Sequence, residues 1–214
     1  HGGGGPGSGP IAVRDILAPF LPTPRIVRED ETFKLDFNVP TAIGRVRSYY
    51  GNFLANVRAY AYMTLCGGDG IRRNSQNAVL NANYIQAMLK GDYHLLHDTV
   101  CMHESVFTDA KQDKESKVHA VDIAKRMLDY GIHPMTIYFP LPKVTANHGA
   151  LMIEPTESES KETIDFFISV MKQIAKEAKE SPELLLNAPH TTPVKRLDEV
   201  RATTNPVLCY VCGQ

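Results

Sequence analysis

The chain contains no tryptophan, no run of about 18 apolar residues and no excess of charge of either sign. Without the long apolar run there is no candidate membrane span, and no signal-peptide pattern supports secretion. The 23 basic and 24 acidic residues leave a formal net charge of −1, which argues against general affinity for nucleic acid or an anionic membrane. Cysteine is scarce. Cys66, Cys101, Cys209 and Cys212 are too few and too scattered to staple a fold of this length. Cys209 and Cys212 form a lone C-x-x-C, but a zinc site would want a second ligand pair and a redox motif would open a helix after a strand. Neither context is present. An initiator methionine is also absent: the chain opens on His1, as a processed or cloned interior segment would, or with a vector-derived linker.

What remains is ordinary globular composition. Hydrophobic residues make up 43% and charged residues 22% of the 214 positions, enough for one large domain or two small ones with a proper core. Residues 1–10, HGGGGPGSGP, cannot pack as an element by themselves. They read either as a flexible linker or as an anion-binding loop, in which backbone N–H groups without Cβ atoms approach a phosphate closely. Pro19, Pro22 and Pro24 space an extended stretch, and Ile26–Phe37 is a hairpin candidate. From about Ser48 the spacing of Phe53, Val57, Tyr60, Ala61 and Leu65 predicts a helix stopped at Gly67–Gly68. A second helix is predicted from about Gly70 to Leu89, ended by Gly91. A helix pair of this kind links domains, so a boundary is placed there, with residues 1–90 before it and 91–214 after it.

Beyond Gly91 strand and helix alternate: a strand over Val100–Phe107, then a helix over Ala120–Tyr130 with Val121, Ala124 and Leu128 inward. Short strands follow at Thr136–Phe139 and Ala150–Ile153. The clearest helix carries Ile164, Phe167, Ile168, Met171, Ile174, Ala175 and Ala178 in one stripe, with a capping box expected from Thr156 and Glu159. The fold class is therefore α/β, helices covering one face of a small sheet.

Few residues here announce chemistry. His94, His97, His103 and Glu104 do not meet H-E-x-x-H spacing, since position 107 is Phe, so no metal site is assigned. Lys125, Lys161, Lys172, Lys176 and Lys179 lie on polar helix faces, not in the desolvated setting a Schiff-base amine needs. No Ser-His-Asp or Cys-His arrangement stands out. The segment from Lys195 to Arg201 reads as an exposed charged helix start, or as an arginine turned inward on a carboxylate, for which Arg196 and Arg201 are the candidates.

Taken in order, several stretches resemble the glycine decarboxylase family, the P-proteins of the glycine cleavage system. They are HGGGGPGSGP (1–10), LAPFLP (17–22), GNFLANVRAYAYMTLCGGDGI (51–71), AVLNANYI (78–85), DIAKRMLDYGIHPMTIYFPL (122–141), ALMIEPTESESKETIDFFI (150–168) and APHTTPVKRLDEVRA (188–202). They cover nearly the whole chain in family order. Met135 and Ile71 depart from the usual proline and leucine, and the tail CYVCGQ (209–214) matches nothing characteristic.

The resemblance implies a C-terminal part of the subunit 2 type. Residues 1–90 would end a fold-type-I pyridoxal-phosphate transferase large domain, and residues 91–214 would form its small α/β domain. It implies an enzyme that decarboxylates glycine, with pyridoxal phosphate as electron sink, and passes the aminomethyl group to the lipoyl arm of H-protein. His1, Gly2, Gly3, Gly4 and Gly5 would border the cofactor, and Arg196 and Arg201 are the candidates for binding the glycine carboxylate. The Schiff-base lysine is expected upstream of His1, so no catalytic residue is assigned and no covalent cofactor is expected here. The implied partners are the remaining part or partner subunit of an oligomeric enzyme, and the implied location is the bacterial cytoplasm or the mitochondrial matrix. The other class of reading is an interaction module that keeps the small-domain fold without catalysis.

Overall fold

A computed structural model describes residues 7–137, 139 and 149–209. The chain divides into two compact units, the first ending at Ile71 and the second beginning at Arg72. The sequence places its boundary near Gly91, where the long helical segment ends.

In the first unit, a 3-10 turn over Asp15–Phe20 leads into an antiparallel hairpin of β1 (Arg25–Glu29) and β2 (Thr32–Asp36), at the site of the expected hairpin. Asp30, at φ 53, makes the turn. Register sets its two faces. Ile26 stands opposite Leu35 and Arg28 opposite Phe33, while Arg25, Lys34 and Asp36 take the other side. Arg25 Nη2 donates to the carbonyls of Pro19 (2.8 Å) and Leu21 (3.0 Å).

Helix α1 (Phe53–Leu89) starts five residues later than the spacing indicates, with Asn52 Oδ1 accepting from Ala55 N at 3.2 Å. It is broken at Gly67, where φ 63 and ψ 176 are open to glycine alone. The expected stop is thus a break between two helical runs. The second run buries Ala82, Ile85, Gln86 and Leu89.

The second unit is built on a four-stranded antiparallel sheet, ordered β3-β4-β6-β5. Its strands are β3 (His94–Leu95), β4 (Ser105–Thr108), β5 (Thr136–Ile137) and β6 (Ala150–Ile153). Strand β4 is half the expected Val100–Phe107. Asn83 takes the backbone of Cys101 instead, donating to its carbonyl (2.8 Å) and accepting from its N–H (3.1 Å), so residues 100–104 have a helix side chain as partner. Register puts Leu95, Phe107, Leu151 and Ile137 side by side on one face, with Ser105 and Ile153. Phe107, Leu151 and Ile153 are buried there; on the other face Thr108 and Ala150 are buried, Val106 and Met152 half-buried and Thr136 exposed. The large core side chains of the sheet come from the first face.

Beyond the short α2 (Ala110–Ser116), that core draws on α3 (Ala120–Asp129) and α4 (Lys161–Glu180), with Tyr93 and Leu89 fully buried among them. The Tyr93 ring meets Phe107 edge-on at 6.3 Å and its hydroxyl donates to the carbonyl of Met171. Burial pushes that phenol well above its usual range. The inward face of α3 is Ala120, Ile123, Ala124 and Met127, while Val121 and Leu128 are only half-buried. The expected stripe was one position out, because Ala120 and Met127, not Val121 and Leu128, close the turn against the sheet. On α4 the expected stripe holds, but its cap is Ser160, whose Oγ accepts from Thr163 N at 3.1 Å. Thr156 cannot serve, being bent away at φ 57 and bonded to Ser158.

Asp109, fully buried, ties these parts together: it accepts from Ala120 N (2.7 Å) and Gly149 N (2.9 Å). A Cβ at Gly149 would lie 2.6 Å from the Ala120 Cβ and 3.0 Å from Asp109 Oδ2. Gly149→Ala is therefore expected to cost about 1–3 kcal/mol in urea unfolding, the usual range for overpacking.

Candidate functional site

The second unit holds a cavity of about 530 Å³, within the range that holds small ligands. Its apolar wall comes from Ile132, Met135, Met152, Phe166 and Phe167. Polar groups at its surface are His133, Thr136, Glu154, Thr156, Glu159 and Thr163. Three local features place them. Helix α3 ends at Gly131 (φ 74) with Gly131 N bonded to Leu128 O and Ile132 N to Met127 O, a left-handed closure that aims Ile132 inward and delivers His133. Strand β6 ends at Ile153, so Glu154 emerges beside the sheet. Thr156 then turns the chain in the left-handed region, rare for a β-branched residue, while Asn81 Nδ2 holds its carbonyl at 2.9 Å. His103 Nε2 lies 3.7 Å from Glu154 Oε1.

A second polar cluster fixes the segment after α4. Glu177 accepts a two-pronged contact from Arg126 (Nε 2.8 Å, Nη2 3.2 Å), together with Tyr130 Oη and Gln173 Nε2. Asp129, 3% exposed at its side chain, accepts from Arg126 Nη1 and from the backbone of His190 and Thr191. Burial opposes ionisation of Asp129, but the N–H groups of Thr191 and His190 and the Arg126 guanidinium outweigh it and hold its carboxyl below the usual 3.8. Burial likewise opposes ionisation of Glu177; Arg126, Tyr130 and Gln173 outweigh it, again lowering the value from 4.5. Both carboxylates thus ionise more readily folded than unfolded. Their contribution is complete above the unfolded values and is lost as pH falls through the folded ones. The urea midpoint is expected to fall as pH is lowered from 5 to about 3, less steeply in Asp129→Asn, as a denaturation series across that range would show.

The residues singled out from sequence are dispersed. His1 and Gly2–Gly5 lie outside the described residues, as does Cys212; Cys209 is exposed. Arg196 is turned inward, but on a carboxylate of the fold: Nη1 donates to Asp122 at 2.6 Å, Nε to Ala188 O and Nη2 to Leu185 O. After the one-turn α5 (Glu183–Leu186), Arg201 is exposed in α6 (Glu199–Thr204), its N–H capped by Asp198. His94 Nδ1 is 3.0 Å from Thr108 Oγ1. No group of three His, Cys, Asp or Glu among the described residues could hold a metal. Lys161 pairs with Asp165, Lys176 with Glu180 at 3.8 Å, Lys179 with Glu115 at 3.5 Å and Lys125 with Glu199 at 3.8 Å. Among the described residues no lysine is buried, and no helix is long and apolar enough to cross a membrane.

Sequence reasoning passed over the cavity residues His133, Thr136, Glu154 and Glu159. They come from two separate segments, 133–136 and 154–159, and no spacing rule joins them.

Comparison with known proteins completes the description. A family described as "Glycine dehydrogenase, C-terminal domain" matches residues 74–191. The chain is 55% identical over 210 residues to a protein of Listeria innocua named "Probable glycine dehydrogenase (decarboxylating) subunit 2", covering 98% of the chain and 42% of that protein. Proteins of the same name from Caldanaerobacter subterraneus (53% identity, 97% and 42% covered) and Exiguobacterium sibiricum (54%, 98% and 42%) are similar in the same way. The chain thus spans less than half the length of these relatives.

Proposed function

This chain belongs to the glycine dehydrogenase C-terminal domain family, and from that premise we propose that it is the C-terminal part of a pyridoxal-phosphate-dependent glycine decarboxylase. The intact enzyme would release CO2 from glycine and pass the aminomethyl group to the lipoyl arm of H-protein. Residues 1–90 would close a fold-type-I large domain and residues 91–214 would form the small one. The relatives' designation as subunit 2 supports a further subunit beside the remainder of this one.

One observation carries the reading that the chain needs that remainder. Residues 7–71 have almost no core of their own: Pro22 and Thr23 are the buried positions of this stretch among the described residues. Nineteen of the large apolar side chains left exposed lie at or before Ile71, including Phe33 at 71%, Phe53 at 73% and Leu65 at 87%. In the first run of α1, Phe53, Leu54, Val57, Tyr60, Tyr62, Met63 and Leu65 point around the whole helix, the pattern of a helix buried on all sides. Such a surface fits a segment covered by the rest of a large domain.

In this reading the Schiff-base lysine and the phosphate contacts lie outside the described residues, with His1–Gly5 at the cofactor's border. The test is a chimera in which this chain replaces the matching 42% of the Listeria innocua relative. It is expected to decarboxylate glycine with added pyridoxal phosphate, H-protein and the relative's partner subunit. A folded chimera that binds the cofactor but releases no CO2 would overturn the assignment.

A further inference from the structure

The cavity beside β5 and β6 has a ligand preference of its own, readable without the family reading. Its wall is apolar and soft: Met135 and Met152 adapt to irregular shapes, and Phe166 and Phe167 offer ring faces and edges. Its charge is one-sided. Glu154 and Glu159 line it, and among the described lining residues there is no lysine or arginine. A phosphate or carboxylate there would meet two carboxylates, with only the imidazoles of His133 and His103 among the described neighbours able to carry positive charge.

The turn bearing the two carboxylates is held in place before any ligand arrives. Pro155 between them is buried, Thr156 is locked at φ 57 by Asn81 from α1 and by Ser158, and Ser160 caps the helix that follows. Little ordering entropy is then left to lose when a ligand binds, the condition for a preorganised site. Its volume of about 530 Å³ admits a single small molecule.

We propose that this cavity binds a small amphipathic amine, its apolar body against Met135, Met152, Phe166 and Phe167 and its ammonium group toward Glu154 and Glu159. Thr136 and Thr156 supply hydroxyl and carbonyl oxygens that can accept from the same ammonium, and His103 beside Glu154 keeps that carboxylate oriented.

Calorimetric titration of the full chain with 4-phenylbutylamine, and with 4-phenylbutyrate as the isosteric anion, tests this. The amine is expected to bind with Kd of about 1 mM or tighter, and the anion not to bind. The double variant Glu154→Gln/Glu159→Gln is expected to weaken the amine about tenfold. Thr136→Trp, at an exposed position on the cavity wall, is expected to abolish binding by filling the space while leaving the unfolding midpoint unchanged. The proposal is overturned if the anion binds as tightly as the amine. It is equally overturned if Thr136→Trp binds normally, or if the amine shows no heat up to about 10 mM. Failure here would leave the glycine decarboxylase assignment standing, since the chimera assay does not depend on this cavity.

Discussion

Borohydride treatment of this chain with pyridoxal phosphate is expected to give no stoichiometric pyridoxyl-lysine, and glycine is expected to lose no CO2 above the rate with free cofactor. Forming such an adduct requires a neutral amine, and an exposed lysine near its ordinary pKa is almost wholly protonated at neutral pH. Lys161 goes further in that direction: the hydrogen bond to Asp165 raises it above its usual range. Scattered substoichiometric labelling of surface amines is the expected background, read by peptide mass mapping. Full labelling of one lysine together with decarboxylation would place a complete site on this chain.

Asp129→Ala is expected to have the largest effect on stability. The carboxylate accepts two backbone N–H groups, the Thr191 hydroxyl (3.0 Å) and Arg126, and it is nearly inaccessible to water. Removing it leaves the donors of His190 and Thr191 without their acceptor and takes from Arg126 one of its two carboxylate partners, at a cost of about 3 kcal/mol. Asn at 129 retains one acceptor oxygen and should lose about half as much. Because Asp122 independently holds Arg196, residues 188–198 should loosen without detaching. The variants are compared by urea unfolding monitored at 222 nm, with proteolysis of the 188–198 segment as the local readout. Wild-type stability in Asp129→Ala would mean that this cluster is ornamental.

The sequence exposed the second unit's core more readily than its polar architecture. The stripe of α4, the strand Ala150–Ile153 and the hairpin were legible because each is a local periodicity. The register of α3 was not, because Val121 and Leu128 fit a stripe with Ala124 as well as Ala120 and Met127 do, and burial was decided by the packing around the helix. The cap of α4 was misassigned because Thr156 and Glu159 satisfy the spacing of a capping box, and spacing says nothing of the backbone bend at φ 57. Arg196 shows the same limit. Its inward turn toward a carboxylate was among the readings open at the start, yet the carboxylate is Asp122, 74 positions away. The cavity was invisible for a related reason, since its polar groups converge from two distant stretches with no shared motif.

Exposure in the first unit was legible only in reverse. The apolar residues of 53–65 looked like an ordinary amphipathic helix, and the structure shows them around its full circumference. That feature supports the central claim, that residues 7–71 are one part of a larger domain. Hydrogen exchange measures it most directly, comparing the amides of residues 53–66 in this chain with the same amides in the chimera. The account predicts exchange slowed by at least about a hundredfold in the chimera, where the helix is covered. Equal protection in both would contradict it.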